Sequence, residues 1–368
     1  MRKIVFLFLF ISIPFLGRPQ NSIDYINLEQ QTIQYYSASR WDSLIMIGNK
    51  GLKNGHDYFY LRLRIGIAYY YQGKYTKAIR HLEKARQFNS QDELANSYLY
   101  LSYKYIGRAA DAEVIGKTLS DTLRKQKLFK KTPLFSNLYL ESGFSPASNY
   151  VPSAPKRNSA DTYESSLKNN ALGYGFLGIS NQITPWLSLF YGYTYLNTSA
   201  TKYTFEKQGT SIKSQIDTTI ADISINQHQF YMNPRFRIAK GLYLSTYFHK
   251  INSKSIIQNN SSSSDTTIVF RDGILGLGLE KYYRNFVFFG EISNNRLHNA
   301  NHLQTQIGAT WFPFSNLNFY LGTTLGINKS NPDTTNQQNY QRKKTIYQIK
   351  VGGKISGELW GEANYLGG

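Results

Sequence analysis

Cysteine is absent from the 368 residues, and its absence excludes several kinds of site and anchor. Without thiols the chain forms no disulfide, holds no metal through thiolates and carries no cysteine-linked lipid. After the first twenty residues, no run approaches the roughly 18 apolar residues that a membrane-spanning helix requires. The rest of the chain is therefore not predicted to cross a membrane by helices.

Acidic residues are also scarce, and motifs that bind nucleotides are absent. The chain has 23 acidic against 42 basic residues, for a formal net charge of +19, and the excess is spread along the sequence. It contains no Walker, dinucleotide, zinc or nucleic-acid-binding motif, so we expect no cofactor, no metal and no nucleic-acid partner. Anionic lipid headgroups or an acidic polymer are the expected counter-charges.

The N-terminus has the composition of an export signal. Arg2 and Lys3 precede an apolar run of roughly 13 residues, from Ile4 to Leu16, which is too short to span a bilayer as a helix. Cations before a short apolar core are the pattern of a secretory signal peptide. We therefore predict a signal peptide over residues 1–19 and an exported mature chain.

Residues 65–90 carry a helical pattern of small and aromatic residues. Small side chains let two helices approach closely, a glycine permits the tight turn between them, and larger side chains fill the gaps. These packing positions are Gly66, Ala68, Tyr69, Gly73, Tyr75, Ala78, Leu82 and Ala85. A shift of 34 residues reproduces the pattern downstream at Ser102, Tyr103, Gly107 and Ala112, and more weakly upstream at Trp41, Leu44 and Gly51.

This pattern resembles the tetratricopeptide repeat. The resemblance implies a periplasmic α-helical solenoid over residues 20–131 with three copies, about the minimum that buries a continuous core. Such arrays present a concave surface to a peptide, a partner protein or a polymer, and the alternative is a spacer for the next domain. The candidate ligand surface, which is otherwise a solvated face, consists of Lys74, Lys77, Arg80, Lys84 and Arg86.

From about residue 132 the period changes from helical to two. Residues 316–328 alternate between apolar side chains, such as Leu321 and Leu325, and small or polar ones, such as Gly322 and Thr324. Lipid-facing residues that alternate with lumen-facing ones are typical of a transmembrane β-barrel, as is an abundance of aromatic residues. A soluble β-sandwich also alternates, but it would not place Gly and Asn on its core face. We predict an antiparallel outer-membrane barrel over residues 132–368.

Turns and loops alternate along this part of the chain. Short turns are expected near 183–185, 239–241, 283–285, 313–316 and 356–357, and longer polar loops near 145–169, 199–222, 253–267, 294–300 and 328–344. This pattern predicts about eleven strands, whereas single-chain bacterial barrels have an even number. We therefore expect a barrel of about twelve strands, whose natural chain continues by roughly 15–30 residues to supply the last one.

Charged residues of both signs are expected in the barrel lumen. If residues 355–357 form a three-residue turn, Lys354 lies opposite Glu358 and Lys350 opposite Glu362, and such cross-strand pairs are favourable. A lumen with both signs is predicted to be filled by its own network rather than to form a wide anion-selective pore. The predicted lumen residues are Arg235, Arg237, Glu280, Glu291, Lys350, Lys354, Glu358 and Glu362.

The sequence shows no catalytic constellation. His298 and His302 fall near an outer loop beside Ser293, but no acidic residue is placed to orient a catalytic base. We therefore predict that the protein is not an enzyme, and an outer-membrane lipid hydrolase is the weakest of three hypotheses.

Repeats in front of a barrel resemble the YaiO-like barrels and the outer-membrane exporters of exopolysaccharide such as poly-N-acetylglucosamine. The resemblance implies an outer-membrane protein whose repeats lie in the periplasm and bind a periplasmic protein or a polysaccharide. The first hypothesis is a recruiting arm for envelope assembly or for export of an anionic polysaccharide. The alternative is a non-transporting anchor or scaffold whose repeats bind a partner protein.

Overall fold

The computed structural model describes residues 24–129, 134–147, 163–208, 215–259, 265–297, 300–331, 342–357 and 359–368. The predicted signal peptide lies outside this described part of the chain, as do His298 and Glu358. Within the described ranges, no helix is both long enough and apolar enough to cross a membrane.

The N-terminal part is a helical repeat. First helices of each pair begin at Tyr25, Phe59 and Glu93, each 34 residues after the one before, and second helices begin at the same interval. Successive helices among the first six pack against one another, so the predicted three-copy solenoid is confirmed. The elements are α1 (Tyr25–Ser37), α2 (Trp41–Lys53), α3 (Phe59–Tyr71), α4 (Tyr75–Phe88), α5 (Glu93–Tyr105), α6 (Ala109–Gly116), α7 (Asp121–Lys125) and a 3-10 turn (Lys127–Phe129).

Small residues bring these helices together. A Cβ added at Gly66 on α3 would stand 2.7 Å from the side chain of Leu82 on α4, so only glycine allows this approach. Full burial of a leucine stabilises a fold by about 1.5–3 kcal/mol, and Leu82 is fully buried in this seam. Ala68, Ala78 and Ala85 are buried beside it, as is Tyr69, while Tyr75 is half-buried.

In the described residues after 134, the chain forms one sheet of eleven antiparallel strands in which each strand pairs with its sequence neighbours. The predicted count of eleven is confirmed. The first and last strands do not pair with each other, so the described sheet is not closed. The strands are β1 (Phe135–Ser145), β2 (Tyr163–Thr184), β3 (Leu187–Gln208), β4 (Gln215–Ala239), β5 (Leu242–Asn259), β6 (Thr266–Tyr283), β7 (Phe286–Leu297), β8 (Ala300–Trp311), β9 (Phe319–Asn331), β10 (Arg342–Ser356) and β11 (Leu359–Gly367).

The two faces of this sheet differ in polarity. On β6, Leu275, Leu277 and Leu279 are exposed on one face, while Gly276 and Gly278 are buried on the other. Exposed apolar side chains on one face and small or polar ones on the other form the pattern of a transmembrane barrel.

Aromatic side chains gather on the apolar face near the short turns. Trp186 stacks on Phe236 with 6.2 Å between ring centroids, and Phe286 stacks on Trp311 at 6.3 Å. Phe314 is 60% exposed in the turn between β8 and β9. Barrels carry such an aromatic girdle at each membrane interface.

The predicted loops are shorter than expected, because the strands are longer. Strands β2, β3 and β4 have 22, 22 and 25 residues, so most of the region predicted as a loop at 199–222 is strand. Residues 163–169 and much of 253–267, for which the sequence also predicts loops, are strand. A polar composition indicates where the two strands of a hairpin leave an apolar environment. The backbone hydrogen bonds between the strands do not need that environment, so the strands continue beyond this point.

The predicted register of the last hairpin is wrong. Lys354 lies opposite Trp360, and Lys350 lies opposite Asn364, two residues from the predicted Glu362. The register shifts between Lys354 and Ser356, and this irregularity replaces the regular three-residue turn that the prediction assumed.

Candidate functional site

The helical repeats rest on the short turns at one end of the sheet. The backbone N–H of Thr76, in the first turn of α4, donates to the carbonyl of Ser315 at 3.0 Å. The Thr76 hydroxyl donates to Asn285 Oδ1 at 2.6 Å, and Asn316 Nδ2 donates to the carbonyl of Gly73 at 3.0 Å. The second repeat therefore contacts both the β6–β7 turn and the β8–β9 turn.

The turn glycines of the repeats lie at this contact. Gly73 and Gly107 have φ angles of +67° and +73°, a left-handed conformation that strains other residues. A Cβ at Gly73 would be 3.9 Å from Asn316, and one at Gly107 would be 3.9 Å from Leu317. The glycines that permit the helix–turn–helix geometry thus also lie where the repeats meet the sheet.

Asp111 on α6 is the centre of the contact with the β4–β5 turn. Its side chain is 1% exposed, and it forms an ion pair at 2.6 Å with Arg108, the residue just before α6. From the sheet, Arg237 Nε donates to Oδ1 at 2.6 Å, and the Tyr243 hydroxyl donates to Oδ2 at 2.6 Å. The backbone N–H of Gly241 donates to Oδ2 at 3.3 Å. We call Asp111, Arg108, Arg237 and Tyr243 the interdomain cluster.

Electrostatics keep Asp111 ionised despite its burial. Desolvation raises the pKa of this carboxyl, but Arg108 and the hydrogen bonds from Tyr243 and Arg237 hold it below its ordinary value. A buried charge is tolerated only when it is paired and hydrogen-bonded, and both conditions are met here. The carboxylate therefore binds the helical domain to the sheet.

Aromatic rings and a second ion pair extend this interface. The guanidinium of Arg108 lies 4.4 Å from the ring centroid of Tyr103 on α5 and 5.3 Å from that of Tyr282 on β6. Lys240 of the β4–β5 turn contacts Glu83 of α4 at 3.0 Å. Arginine stacked on aromatic rings gains cation–π attraction, which is strongest where water is excluded.

Of the five cations of the predicted ligand surface, Lys77, Arg80 and Lys84 share one face of α4 by their spacing of three and four residues, whereas Arg86 does not. Lys74 donates to Gln72 at 2.8 Å, Lys77 lies 5.6 Å from the ring centroid of Tyr69, and Lys84 donates to Gln87 at 3.0 Å. Arg86 follows Lys77 by nine residues, so it projects from the opposite side of α4. Within the described residues its Nε is buried without a hydrogen-bond partner. Arg80 instead lines a cavity against the sheet.

The predicted lumen residues lie in several different contacts. Arg235 forms an ion pair with Glu280, Lys350 pairs with Glu362 at 3.6 Å, and Glu291 accepts a hydrogen bond from Gln306. Arg237 is bonded to the helical domain through Asp111 instead of to a lumen acid. Lys354 has the aromatic Trp360 across the strand pair, and Glu358 lies outside the described residues.

One cavity lies at the interface, and a groove lies on the polar face. The rim cavity, of 270 Å³, lies between α4 and the β4–β5 and β6–β7 turns. The polar groove, of 310 Å³, lies on the polar face of β4 to β8. Part of the lining of the polar groove is formed by Tyr231, Tyr247, His249, Glu291, Asn295 and Gln306.

Sequence reasoning missed the interdomain cluster. Asp111 and Glu113 are two acids in a short helix that is otherwise apolar, and Arg108 precedes Asp111 by one helical turn. Acids in such a helix signal a buried polar contact. Their partners, however, lie far along the chain and share no spacing with them.

No protein-family model matches this sequence, and no curated protein matches it. Among solved structures, a mutant of MamA is 20% identical, with a TM-score of 0.24, over 25% of this chain and 66% of that one. The Arabidopsis OM64 TPR domain is 12% identical, with a TM-score of 0.25, over 28% of this chain and 85% of that one.

A third match involves the sheet. The open form of the ferric-catecholate import receptor Fiu from E. coli K12 is 10% identical, with a TM-score of 0.37. The match covers 62% of this chain and 41% of that one, so this chain spans less than half of the receptor. At these scores, the three similarities carry no argument beyond the architecture described above.

Proposed function

We propose that this protein is an outer-membrane β-barrel that holds a tetratricopeptide array at its periplasmic rim, where the array recruits a partner protein for envelope assembly. The observation that carries the proposal is the interdomain cluster, in which Asp111 is buried between two arginines and a tyrosine. A buried charge pair is stable only while both of its groups stay in contact, so the two domains keep a fixed relative position. The barrel thus presents the array in one orientation.

The distribution of polarity supports a membrane location and its side. An exposed apolar face with an aromatic girdle suits lipid, and barrels place their short turns in the periplasm. The turns that contact the helices here are the short ones. A signal peptide over residues 1–19 would deliver the chain to that compartment.

An aromatic surface on the array supports partner binding. Trp41 stacks on Tyr71 with 4.8 Å between ring centroids, and Tyr75 stacks on Tyr105 at the same separation. Tyr71 is 55% exposed although it belongs to this stack. Tyrosine and tryptophan are enriched at protein interfaces. We call this surface the aromatic ladder, formed by Trp41, Tyr70, Tyr71, Tyr75, Tyr98 and Tyr105.

Capture from an envelope extract tests the proposal. The full chain in a lipid nanodisc should retain a periplasmic protein, and the variant Trp41→Ala/Tyr71→Ala should retain it about tenfold less well, because aromatic anchors dominate interface energies. Phe88→Ala is the control, since Phe88 is exposed on α4 outside the aromatic ladder. Equal retention by both variants would overturn the proposal. Retention of a carbohydrate, and not of a protein, would identify the partner as a polysaccharide.

Export of a polysaccharide is the second candidate, and the polar groove favours it. Hydroxyl, amide and aromatic side chains line the groove together with the carboxylate of Glu291, and none of the described lining residues is a lysine or arginine. That lining suits a neutral sugar better than an anionic one. The helical array, however, covers the periplasmic end of the same face through Asp111 and Arg237. Ion conductance of the full chain in a planar bilayer supports export, whereas a sealed barrel supports an anchor.

We infer that the protein has no catalytic activity on lipids. His302 lies in β8 opposite Asn295 and Ser330 of its neighbouring strands. Hydrolysis of a phospholipid by the full chain, abolished in His302→Ala, would overturn this inference.

A further inference from the structure

Five of the eleven described residues that line the rim cavity are basic, and they come from both domains. The helical domain contributes Arg80 and Arg108 with one acid, Glu83. The sheet contributes Lys240 and Arg284 from its turns and Lys281 from β6. Five cations therefore surround one carboxylate in a cavity of 270 Å³. The cavity is complete only when the array is docked on the sheet.

Only some of these charges are neutralised by the protein. Arg108 is paired with Asp111, and Lys240 is paired with Glu83, which also accepts a hydrogen bond from Tyr103. Within the described residues, the remaining three basic side chains have no acidic partner: Arg80, Lys281 and Arg284. Like charges around one cavity repel each other, and a bound anion relieves this repulsion.

The position of the cavity on the sheet indicates where the anion comes from. Lys281 and Tyr283 continue the exposed apolar face of β6, and Tyr283 is 54% exposed at its end. The guanidinium of Arg284 lies 5.2 Å from the Tyr283 ring centroid, and Phe286 of the aromatic girdle follows two residues later. Cations beside interfacial aromatic rings are placed at the height of lipid headgroups.

We propose that the rim cavity binds the phosphate headgroup of an anionic phospholipid at the periplasmic surface of the membrane. The inference rests on the proposed outer-membrane location. Arginine presents several N–H groups that match phosphate oxygens, and Arg80 and Arg284 approach the cavity from different domains. The bound lipid therefore bridges the helical array and the barrel rim.

The size of the cavity separates this ligand from an acidic polymer. Its 270 Å³ lies just below the range of about 300–1,000 Å³ for small-molecule sites, enough for a headgroup but not for several residues of a chain. A lipid also reaches the cavity from the apolar face, where Lys281 and Tyr283 lie. A water-soluble polymer does not approach the cavity through an apolar, lipid-facing surface.

Native mass spectrometry of the full chain, released from nanodiscs of mixed phosphatidylglycerol and phosphatidylcholine, tests this inference. The wild type should retain phosphatidylglycerol. Arg80→Gln/Arg284→Gln should bind it about 25-fold more weakly, since each basic residue near a membrane surface contributes about fivefold. Arg80→Lys/Arg284→Lys should keep most of the binding, which shows that charge and not packing is responsible. Lys84→Gln is the matched control, because it removes one charge from α4 outside the cavity.

Each other outcome contradicts a different statement. Equal retention of phosphatidylglycerol by the double glutamine variant overturns the lipid site. Displacement of the lipid by inorganic phosphate, or binding of alginate without lipid, replaces the ligand by a free phosphate or an acidic polymer. A chain that does not insert into the nanodisc contradicts the proposed outer-membrane location itself. A chain that inserts and captures its partner but ignores lipid charge contradicts only the lipid site.

Discussion

At the scale of single residues, two ionisable side chains of the helical domain, Asp111 and His81, are buried and tolerate burial in different ways. Asp111 stays charged because Arg108, Arg237 and Tyr243 surround it. His81 on α4 is also buried, with 4% of its surface exposed, but it is kept neutral where Asp111 is kept charged. Burial, with Arg62 and Arg80 nearby, lowers the pKa of its imidazole to about 3, so it stays neutral.

Asp111→Asn should detach the array from the sheet. The variant leaves Arg237 and Arg108 without their carboxylate, and removing one partner of a buried charge pair costs about 3–5 kcal/mol. We expect faster proteolysis of the helical domain and a lower midpoint of its thermal unfolding, measured by far-UV circular dichroism. Asp121→Asn is the control, because its pair with Arg124 is exposed and contributes little. An unchanged midpoint in Asp111→Asn would mean that the interdomain cluster does not stabilise the interface.

Acidification should destabilise the helices through His81. Below the ordinary histidine pKa of about 6.5, the unfolded chain binds a proton that the folded chain excludes, so the free energy of unfolding falls as pH falls. The loss is about 2 kcal/mol between about pH 6.5 and 4.5, and it continues until the folded pKa is reached. The helical unfolding midpoint should fall over this range in the wild type and fall less in His81→Gln. A wild-type midpoint that does not change over this range would contradict a neutral buried His81.

At the scale of elements, the alternation of side chains predicts the position of the turns between strands but not the register of every strand pair. Alternation located the short turns to within about two residues, because the side-chain period of a strand is a local property, but it placed several strand ends too early on the loop side. It did not predict the register of β10 and β11, where a shift between Lys354 and Ser356 moves every later pair. A bulge depends on how one hairpin bends against its neighbours, which composition does not encode.

Paired cysteines should report this register. The chain has no cysteine of its own, so introduced thiols meet no competitors. Ile349 lies directly opposite Tyr365, and directly opposed residues fall within the Cα separations that a disulfide spans. Ile349→Cys/Tyr365→Cys should therefore oxidise readily, and Ile349→Cys/Ala363→Cys, the pair in the register expected from sequence, should not. Preferential oxidation of the second pair would contradict the observed register.

At the scale of the whole molecule, the array and the sheet behave as one unit at the rim. Contacts from the second repeat reach the β6–β7 and β8–β9 turns, and Asp111 of the third repeat reaches the β4–β5 turn. The first repeat carries Trp41 and extends the aromatic ladder away from these contacts. One end of the array is thus attached, and the other is available to a partner.

Cross-linking the two parts should leave partner binding unchanged. The Thr76 hydroxyl is 2.6 Å from Asn285 Oδ1, so Thr76→Cys/Asn285→Cys should react efficiently with a short bis-maleimide. Ser37→Cys/Asn285→Cys should react poorly, since Ser37 lies one repeat further along the array. Because the array is already held in place, the cross-linked protein should retain its partner as well as the wild type. Loss of capture on cross-linking would show that the array must leave the rim to work.

The sequence by itself determined the two architectures, the boundaries of the repeats and the positions of the short turns. Repeats of 34 residues and alternation of two residues both follow from local backbone geometry and from which side chains avoid water. Only the tertiary structure decided how the two parts meet, since Asp111 contacts Arg237 and Tyr243 at separations of 126 and 132 residues. No periodicity links a helix to a distant strand turn, because such a contact depends on how whole domains pack. For the same reason, the sequence did not predict that Arg80 lines the rim cavity.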